Sequence, residues 1–328
     1  MNKPIEKIAV LTSGGDAPGM NAAIRAVVRA CKYYNVECVG VYRGYQGLIE
    51  GDFKTLNGKH VSNIINRGGT ILKSARSKEF RTEEGREQAY NNLVAAGVGA
   101  MIVIGGDGTF TGGLKFIQEY GFPVIGIPGT IDNDIYGTDK TIGYDTALNT
   151  VVDVIDKIRD TASSHNRLFF IEVMGRDAGF IALNAGIGAG AEEILIPEEN
   201  IGLDKLVESL NTGADSGKTS SIVVVSEGDK IGKNVFELAD YVTEKFPDYD
   251  VRVSVLGHMQ RGGSPSCYDR VLASRLGVAA VEYLLDRSSG VMIGIVNNQV
   301  TTVGLNRAIK MHNEIDKELL KVAEITSV

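Results

Sequence analysis

Four glycine-rich segments of the sequence carry the side chains that phosphate chemistry needs. In Ser13-Gly14-Gly15-Asp16-Ala17-Pro18-Gly19-Met20-Asn21, a glycine turn follows a β-branched run and feeds a helical pattern. Such a turn presents backbone N–H groups and the positive end of a helix dipole to an anion, with phosphate the natural guest. A tight turn without a ligand is the alternative reading. The G-x-G-x-x-G spacing of a dinucleotide site is not met, which argues against NAD. In Ile104-Gly105-Gly106-Asp107-Gly108-Thr109, bare backbone lets phosphates approach closely and Asp107 offers a carboxylate to a magnesium ion. That pattern also occurs in NAD kinases and lipid kinases, so alone it indicates nucleotide phosphates, or simply a solvated turn aspartate.

The third segment, Pro128-Gly129-Thr130-Ile131-Asp132-Asn133-Asp134, brings carboxylates and a hydroxyl to the end of a strand. A sugar hydroxyl is a poor nucleophile, and an aspartate within hydrogen-bond reach can accept its proton during phosphoryl transfer. A calcium loop is excluded, because Tyr136 occupies a ligand position and Gly143 stands where the bidentate glutamate belongs. The fourth, Gly257-His258-Met259-Gln260-Arg261-Gly262-Gly263-Ser264-Pro265, joins an imidazole and a guanidinium fork suited to phosphate oxygens, although a lone histidine at a strand end is often structural. Thr212 to Thr219 resembles a Walker A loop but has Thr212 in place of the first glycine and follows a helical pattern, so it reads as a surface connection.

The elements that position these segments are short β-branched runs at 8–11, 37–42, 101–104, 124–127, 168–173, 194–196, 222–225, 251–256 and 291–296. Helical patterns lie between them, among them 20–33, 83–96, 147–161, 203–210 and 268–285. Alternation of this kind implies an α/β fold of doubly wound, mainly parallel sheets, whose strand carboxyl ends carry ligands. The length of 328 residues suggests two domains. The expected division is 1–143 with 260–310, and 144–259 with 311–328.

Hydrophobic content of 43% and charged content of 23% are those of a globular protein. A net charge of −7 disfavours a general nucleic-acid role and requires positive charge to be concentrated wherever phosphate binds. The cysteines, Cys31, Cys38 and Cys267, have no metal or disulfide spacing, and no apolar stretch reaches the length of a membrane span. A cytoplasmic location is the expectation.

Taken together, Leu11–Asn21, Ile104–Thr109, Pro128–Asp134, Val173–Arg176 and Gly257–Pro265 resemble the bacterial ATP-dependent 6-phosphofructokinase family in order and spacing over nearly the whole chain. The resemblance implies transfer of the γ-phosphoryl of MgATP to the 1-hydroxyl of fructose 6-phosphate, in a cleft between a larger ATP domain and a smaller sugar-phosphate domain. It assigns ATP to Gly15, Arg76, Ser77, Gly106, Asp107, Gly108 and Thr109, with Asp107 also holding Mg2+. Catalysis falls to Asp132 as base, with Thr130 and Arg176. Sugar phosphate falls to Thr130, Ile131, Asp132, Met174, Gly175, Arg176, Glu227, His258, Met259, Gln260 and Arg261, with Arg167 and Arg252 reaching in from a neighbouring subunit of a homotetramer. An effector site for ADP or phosphoenolpyruvate would involve Arg25, Arg29, Arg159, Gly190, Ala191, Glu192 and Lys218, but Gly58, Ser216, Thr219 and Ser220 stand where the family carries more basic residues. Diphosphate-dependent relatives carry an aspartate and a lysine at the positions of Gly108 and Gly129, so that reading is the alternative to ATP, and a non-catalytic sugar-phosphate sensor is the other.

Overall fold

The computed structural model describes residues 4–162, 167–199, 202, 203, 206–208, 210, 220–228, 234–247 and 250–327. The Walker-like segment with Lys218 lies outside them, as does part of the helical pattern at 203–210. The chain forms two compact units, Met1–Thr146 with Arg261–Asn313, and Ala147–Gln260 with Glu314–Val328.

In the first unit the elements are β1 (Lys7–Thr12), α1 (Met20–Tyr33), β2 (Glu37–Val41), α2 (Gly44–Glu50), β3 (Phe53–Leu56), α3 (Glu83–Ala95), β4 (Ala100–Gly105), α4 (Asp107–Tyr120) and β5 (Val124–Pro128). Helix α5 (Tyr144–Ala162) then leads into the second unit. The sheet runs β11-β10-β5-β4-β1-β2-β3, with β10 (Val291–Val296) and β11 (Gln299–Gly304) supplied by the later part of the chain. Its inner strands are parallel, and both edges, β3 and β11, are antiparallel. Strands β1 and β4 are buried nearly throughout, which is why they read as unbroken apolar runs. The edge strands escaped the pattern because they are short and half polar. The β10–β11 hairpin turns on Asn297 and Asn298, both with positive φ, as a two-residue turn of this hand requires.

Helices α8 (Cys267–Leu285) and α9 (Leu305–Lys310) complete this unit, α8 packing on α1. The glycines of helix α4 are there for packing: a Cβ at Gly112 would lie 2.7 Å from the Tyr45 ring. Tyr45 itself is buried, stacks on Phe80 at 4.1 Å between centroids, and donates its hydroxyl to the Thr109 carbonyl at the start of α4.

The second unit holds a parallel sheet ordered β7-β8-β6-β9, from β6 (Arg167–Val173), β7 (Glu193–Leu195), β8 (Ser220–Ser226) and β9 (Asp250–Val255). Helices α6 (Phe180–Ala189), α7 (Val235–Lys245) and α10 (Lys317–Thr326) belong to it. Its core gathers Leu168, Phe170, Val223, Val225, Leu238 and Val242. No helix among the described residues is long and apolar enough to cross a membrane.

Candidate active site

Strand β1 lies between β4 and β2, and the chain proceeds outward in one direction through β2 and β3 and in the other through β4 and β5. The carboxyl ends of β1 and β4 therefore form a topological switch point, where open α/β sheets bind ligands. Three of the predicted segments meet there. Ser13 N donates to the Ile104 carbonyl at 3.0 Å, Thr109 Oγ1 to the Ser13 carbonyl at 3.1 Å, and Gly129 N to the Gly105 carbonyl at 3.0 Å. A Cβ at Gly105 would lie 2.3 Å from Thr109 Oγ1 and 2.4 Å from the Ser13 carbonyl oxygen, so the junction closes only around glycine.

Two helix N-termini differ here from the sequence expectation. The start of α1 is buried from Ala17 to Met20, and a Cβ on Gly19 would meet Ile142 at 2.6 Å. Its dipole end does not face solvent, and what the first segment exposes is the bare turn Gly14-Gly15. Helix α4 is the opposite case: Asp107 is its first residue, the cap residue Gly106 contributes no side chain, and Gly108 is exposed. The second segment is thus a helix start rather than an open turn, and it offers an anion both N–H groups and the dipole.

At the end of β5, Thr130 and Asp132 are both buried, the carboxylate at 3% exposure. Thr130 Oγ1 donates to Asp132 Oδ2 at 3.0 Å and accepts from Asp132 N at 3.3 Å, which fixes the orientation of the carboxylate. Asn133 follows in the left-handed region, φ 56°, and its Oδ1 accepts from Thr141 N at 2.8 Å. Ile131 points wholly inward, so only its backbone can meet a ligand. The Asp134 carboxyl is pushed up by burial and then by the negative charges of Asp132 and Asp107. Those three side chains offer hard oxygen donors in one locality, and among the described residues no group of three or more His, Cys, Asp or Glu is arranged to hold a metal alone. That combination suits Mg2+, which takes one or two carboxylates and completes its shell with substrate phosphates and water.

Arg261 sits against the first segment: its Nη1 donates to the Asp16 carbonyl at 3.4 Å and lies 2.6 Å from where a Gly15 Cβ would be. The sequence reading grouped it with the sugar phosphate, and in the first unit it flanks the Gly14-Gly15 turn. Arg76 is exposed, next to Ser77, whose hydroxyl donates to Gln46 Oε1 at 2.7 Å. A Cβ at Gly129 would lie 3.1 Å from Ile104 and 3.2 Å from Met20, a tight fit. Gly108 has nothing within 4 Å of that point.

In the second unit the turn Met174-Gly175-Arg176 follows β6, with φ of 151° at Gly175 and 54° at Arg176. Two side chains from other strand ends hold it. Gln260 Oε1 accepts from Met174 N at 3.2 Å, and Glu227 Oε1 accepts from Arg176 N at 2.9 Å and Gly175 N at 3.3 Å. Gln260, expected to touch substrate, is fully buried and also donates to the Gly257 carbonyl, so its amide is engaged in the scaffold. His258 and Met259 are exposed beside it. Arg167 and Arg252 share Asp250, whose carboxyl accepts from Arg252 Nη2 at 3.0 Å and Arg167 Nε at 3.3 Å and is held below the usual range first by the Arg252 bond. Asp250 was not singled out from the sequence, and its position two residues before Arg252 was the available signal.

Of the residues expected at an effector site, Arg159 donates to the Ala189 and Gly190 carbonyls at 2.9 and 2.7 Å, closing the end of α6, and pairs with Glu192 at 3.6 Å. Gly190 caps that helix with φ 63°, and Ala191 is buried behind it. Arg25 and Arg29 lie on α1 in the first unit, where burial and then the Arg29 charge hold the Arg25 guanidinium below its ordinary value. Gly58 has open space around it.

Residues 7–284 match the family model described as Phosphofructokinase. The chain is 53% identical over 324 residues to a Bacteroides thetaiotaomicron protein named ATP-dependent 6-phosphofructokinase 2, covering 99% of both chains. It is also 53% identical to the Thermus thermophilus ATP-dependent 6-phosphofructokinase 1, with 99% of this chain and 100% of that one aligned. Among solved structures, Saccharomyces cerevisiae phosphofructokinase superposes with a TM-score of 0.87 at 37% identity, over 98% of this chain and 47% of the yeast chain. A pyrophosphate-dependent phosphofructokinase from Marinobacter aquaeolei shares the fold, TM-score 0.82, at 21% identity over 99% of this chain and 92% of that one.

Proposed function

The chain belongs to the phosphofructokinase family, and we propose that it is an ATP-dependent 6-phosphofructokinase acting in glycolysis, with its nucleotide at the β1–β4 switch point and Asp132 as its base. The observation that carries the reading is the convergence of Gly14-Gly15, Gly106–Thr109 and Thr130–Asp132 on hydrogen bonds of 3.0–3.1 Å among their strand ends. ATP phosphates lie along the Gly14-Gly15 turn and the start of α4, with Arg76 and Ser77 completing the nucleotide site. Fructose 6-phosphate is held by Thr130, the Met174-Gly175-Arg176 turn, Glu227, His258 and Arg261. Arg167 and Arg252, joined through Asp250, serve the 6-phosphate of a neighbouring subunit in a homotetramer.

In the transfer, the 1-hydroxyl oxygen of the sugar forms a bond to the γ-phosphorus as the bond from that phosphorus to the ADP oxygen breaks, and the hydroxyl proton passes to Asp132. Thr130 orients the carboxylate that receives it. The dipole end of α4 and the arginines hold charge on the transferring group, so the protein contributes alignment and electrostatics. Asp107, with Asp134 beside it, would hold Mg2+, which when bound supplies further charge neutralisation on the phosphate oxygens. A coupled assay with fructose 6-phosphate and either ATP or diphosphate tests the reading. Turnover with ATP alone is expected, and diphosphate use without ATP use would replace it.

Gly108 separates the two phosphoryl donors. It is exposed, and a Cβ there meets nothing within 4 Å, so Gly108→Asp leaves the fold intact. The new carboxylate lies in the first turn of α4, facing the same phosphates as the helix dipole. Steady-state kinetics are expected to show the KM for ATP rising about tenfold or more, the loss of roughly one charge-assisted contact. The KM for fructose 6-phosphate should move by less than about twofold on the same scale. Equal rises for both substrates would remove Gly108 from the nucleotide site.

Regulation by ADP or phosphoenolpyruvate is expected to be weak. Arg159 is occupied at the end of α6, and Gly58 offers no charge. Each missing charged contact to a phosphate forgoes roughly 1.5–3 kcal/mol. Rates at subsaturating fructose 6-phosphate should change by less than about twofold with millimolar phosphoenolpyruvate, a small effect on the free-energy scale. Strong inhibition abolished by Arg159→Ala would show a working effector site.

A further inference from the structure

The segment after α9 lies across the loop that carries Asp132. His312 bridges Ile135 in antiparallel fashion, and Asn313 N donates to the Asp134 carbonyl at 3.0 Å. The Asn313 side chain spans the loop: Nδ2 donates to the Thr138 carbonyl at 3.0 Å and to the Asn133 carbonyl at 3.3 Å. Within α9, Arg307 Nη2 donates to the Tyr136 hydroxyl at 3.0 Å, and its guanidinium lies 5.3 Å from that ring's centroid. Residues 133–138 are thus gripped from one side by 307–313, and Asn313 is the last residue of the first unit before the chain enters the second.

The other side of the loop is held differently. Thr141 Oγ1 donates to the Thr130 carbonyl at 2.7 Å and Thr141 N to Asn133 Oδ1 at 2.8 Å. Asn133 has a positive φ, a conformation an asparagine holds at modest cost when its backbone is pinned. The carbonyl of Asn133 itself is one of the two that the Asn313 amide takes. Releasing it loosens the Asn133–Asp134 peptide, the second after Asp132, while β5 and the Thr130 bond remain in place.

We propose that Asn313 is a positioning residue for Asp132, the two hydrogen bonds of its side chain amide holding the Asn133–Thr138 loop so that the carboxylate meets the sugar hydroxyl in line. The inference rests on the assignment of Asp132 as base. A proton acceptor must lie within hydrogen-bond distance of its donor in the reacting geometry, and displacement by about 1 Å can cost on the order of 10²-fold. Asn313 touches no reacting atom, and its effect passes through the loop.

The test is a double-mutant cycle on the full-length enzyme with MgATP and fructose 6-phosphate. Asn313→Ala is expected to lower kcat about tenfold, with the KM for ATP changed by less than about twofold and the melting temperature within a few degrees of the parent, while Asn313→Ser, which keeps one donor, gives an intermediate kcat. In an Asp132→Asn background the same Asn313→Ala change should cost less than about twofold, since there is no longer a base to position. A kcat near the parent's in Asn313→Ala overturns the proposal, as does an equal loss in both backgrounds, which would mean a structural role alone. Should Asn313→Ala fail to fold, the same comparisons are made with Asn313→Ser. Turnover retained in Asp132→Asn itself would overturn the base assignment and the positioning role with it, an outcome distinct from failure at Asn313 alone.

Discussion

Asp132→Asn is expected to lower kcat by about 10²–10⁴-fold, the usual contribution of a positioned general base, and to leave the KM values for ATP and fructose 6-phosphate nearly unchanged. The substitution preserves shape. Thr130 Oγ1, which donates to Asp132 Oδ2 at 3.0 Å, can donate equally to an amide oxygen, and the backbone bond from residue 132 to Thr130 Oγ1 is untouched. What disappears is the capacity to take a proton. With both ligands still bound, the loss appears in the transition state alone, which is the kinetic signature of a group that acts only in the chemical step. Rapid-quench measurement of the first turnover checks that the slowed step is transfer and not product release. A loss of only a few-fold would leave the proton to another acceptor, with Asp134, whose carboxyl is already pushed up by burial and by Asp132, the next to examine.

Strands buried on both faces were legible because burial leaves an unbroken apolar run, as in Ala100–Gly105, and each of the predicted runs is a strand within a residue or two. Helix α4 was not, because Gly112 and Gly113 lower its propensity, and the reason for Gly112 is the Tyr45 ring, which is remote in sequence. Helix α6, apolar nearly all round, has no period to detect. At the site, the glycines and carboxylates could be read as phosphate chemistry because that chemistry restricts residue type. Which helix start faces solvent could not, since Gly19 is covered by Ile142, more than a hundred positions away. The supporting roles were hidden for the same reason. Asn313, Asp250 and Gln260 are polar residues of ordinary type, and only the fold shows that Asn313 and Gln260 hold backbone groups while Asp250 holds two arginines.

Asp269→Ala is expected to be the most destabilising single change in the first unit, at roughly 3–5 kcal/mol. Asp269 is fully buried on the first turn of α8, where Ser266 caps the helix by accepting from Asp269 N at 3.2 Å. Its carboxylate reaches to a second helix. It accepts from Gly143 N at 2.9 Å, Thr146 N at 2.8 Å and Thr146 Oγ1 at 2.5 Å, capping α5 from more than a hundred residues away. That distant cap is needed because residue 143 must be glycine: its φ is 103°, and a Cβ would lie 2.7 Å from Ala17. No side chain at the local cap position can therefore serve the first turn of α5. Alanine at 269 removes the acceptor from three donors in a buried place, each worth about 1–3 kcal/mol, with partial relaxation reducing the sum. The melting transition should fall by about 10 °C on the usual scaling. Asp269→Asn, which keeps one acceptor and turns a donor toward the others, should fall between. Burial pushes the Asp269 carboxyl up while its hydrogen bonds pull it down, and the net direction is upward. The folded state then binds this proton more tightly than the unfolded chain does, so the stability tied to it is complete below the unfolded value and declines as pH rises through the folded one. The Asn variant lacks that decline, and its deficit should narrow between acid and neutral pH. Denaturant titrations of both proteins across that range measure the gap, and a gap that widens toward neutral pH would show that the three hydrogen bonds outweigh burial and keep the carboxylate charged.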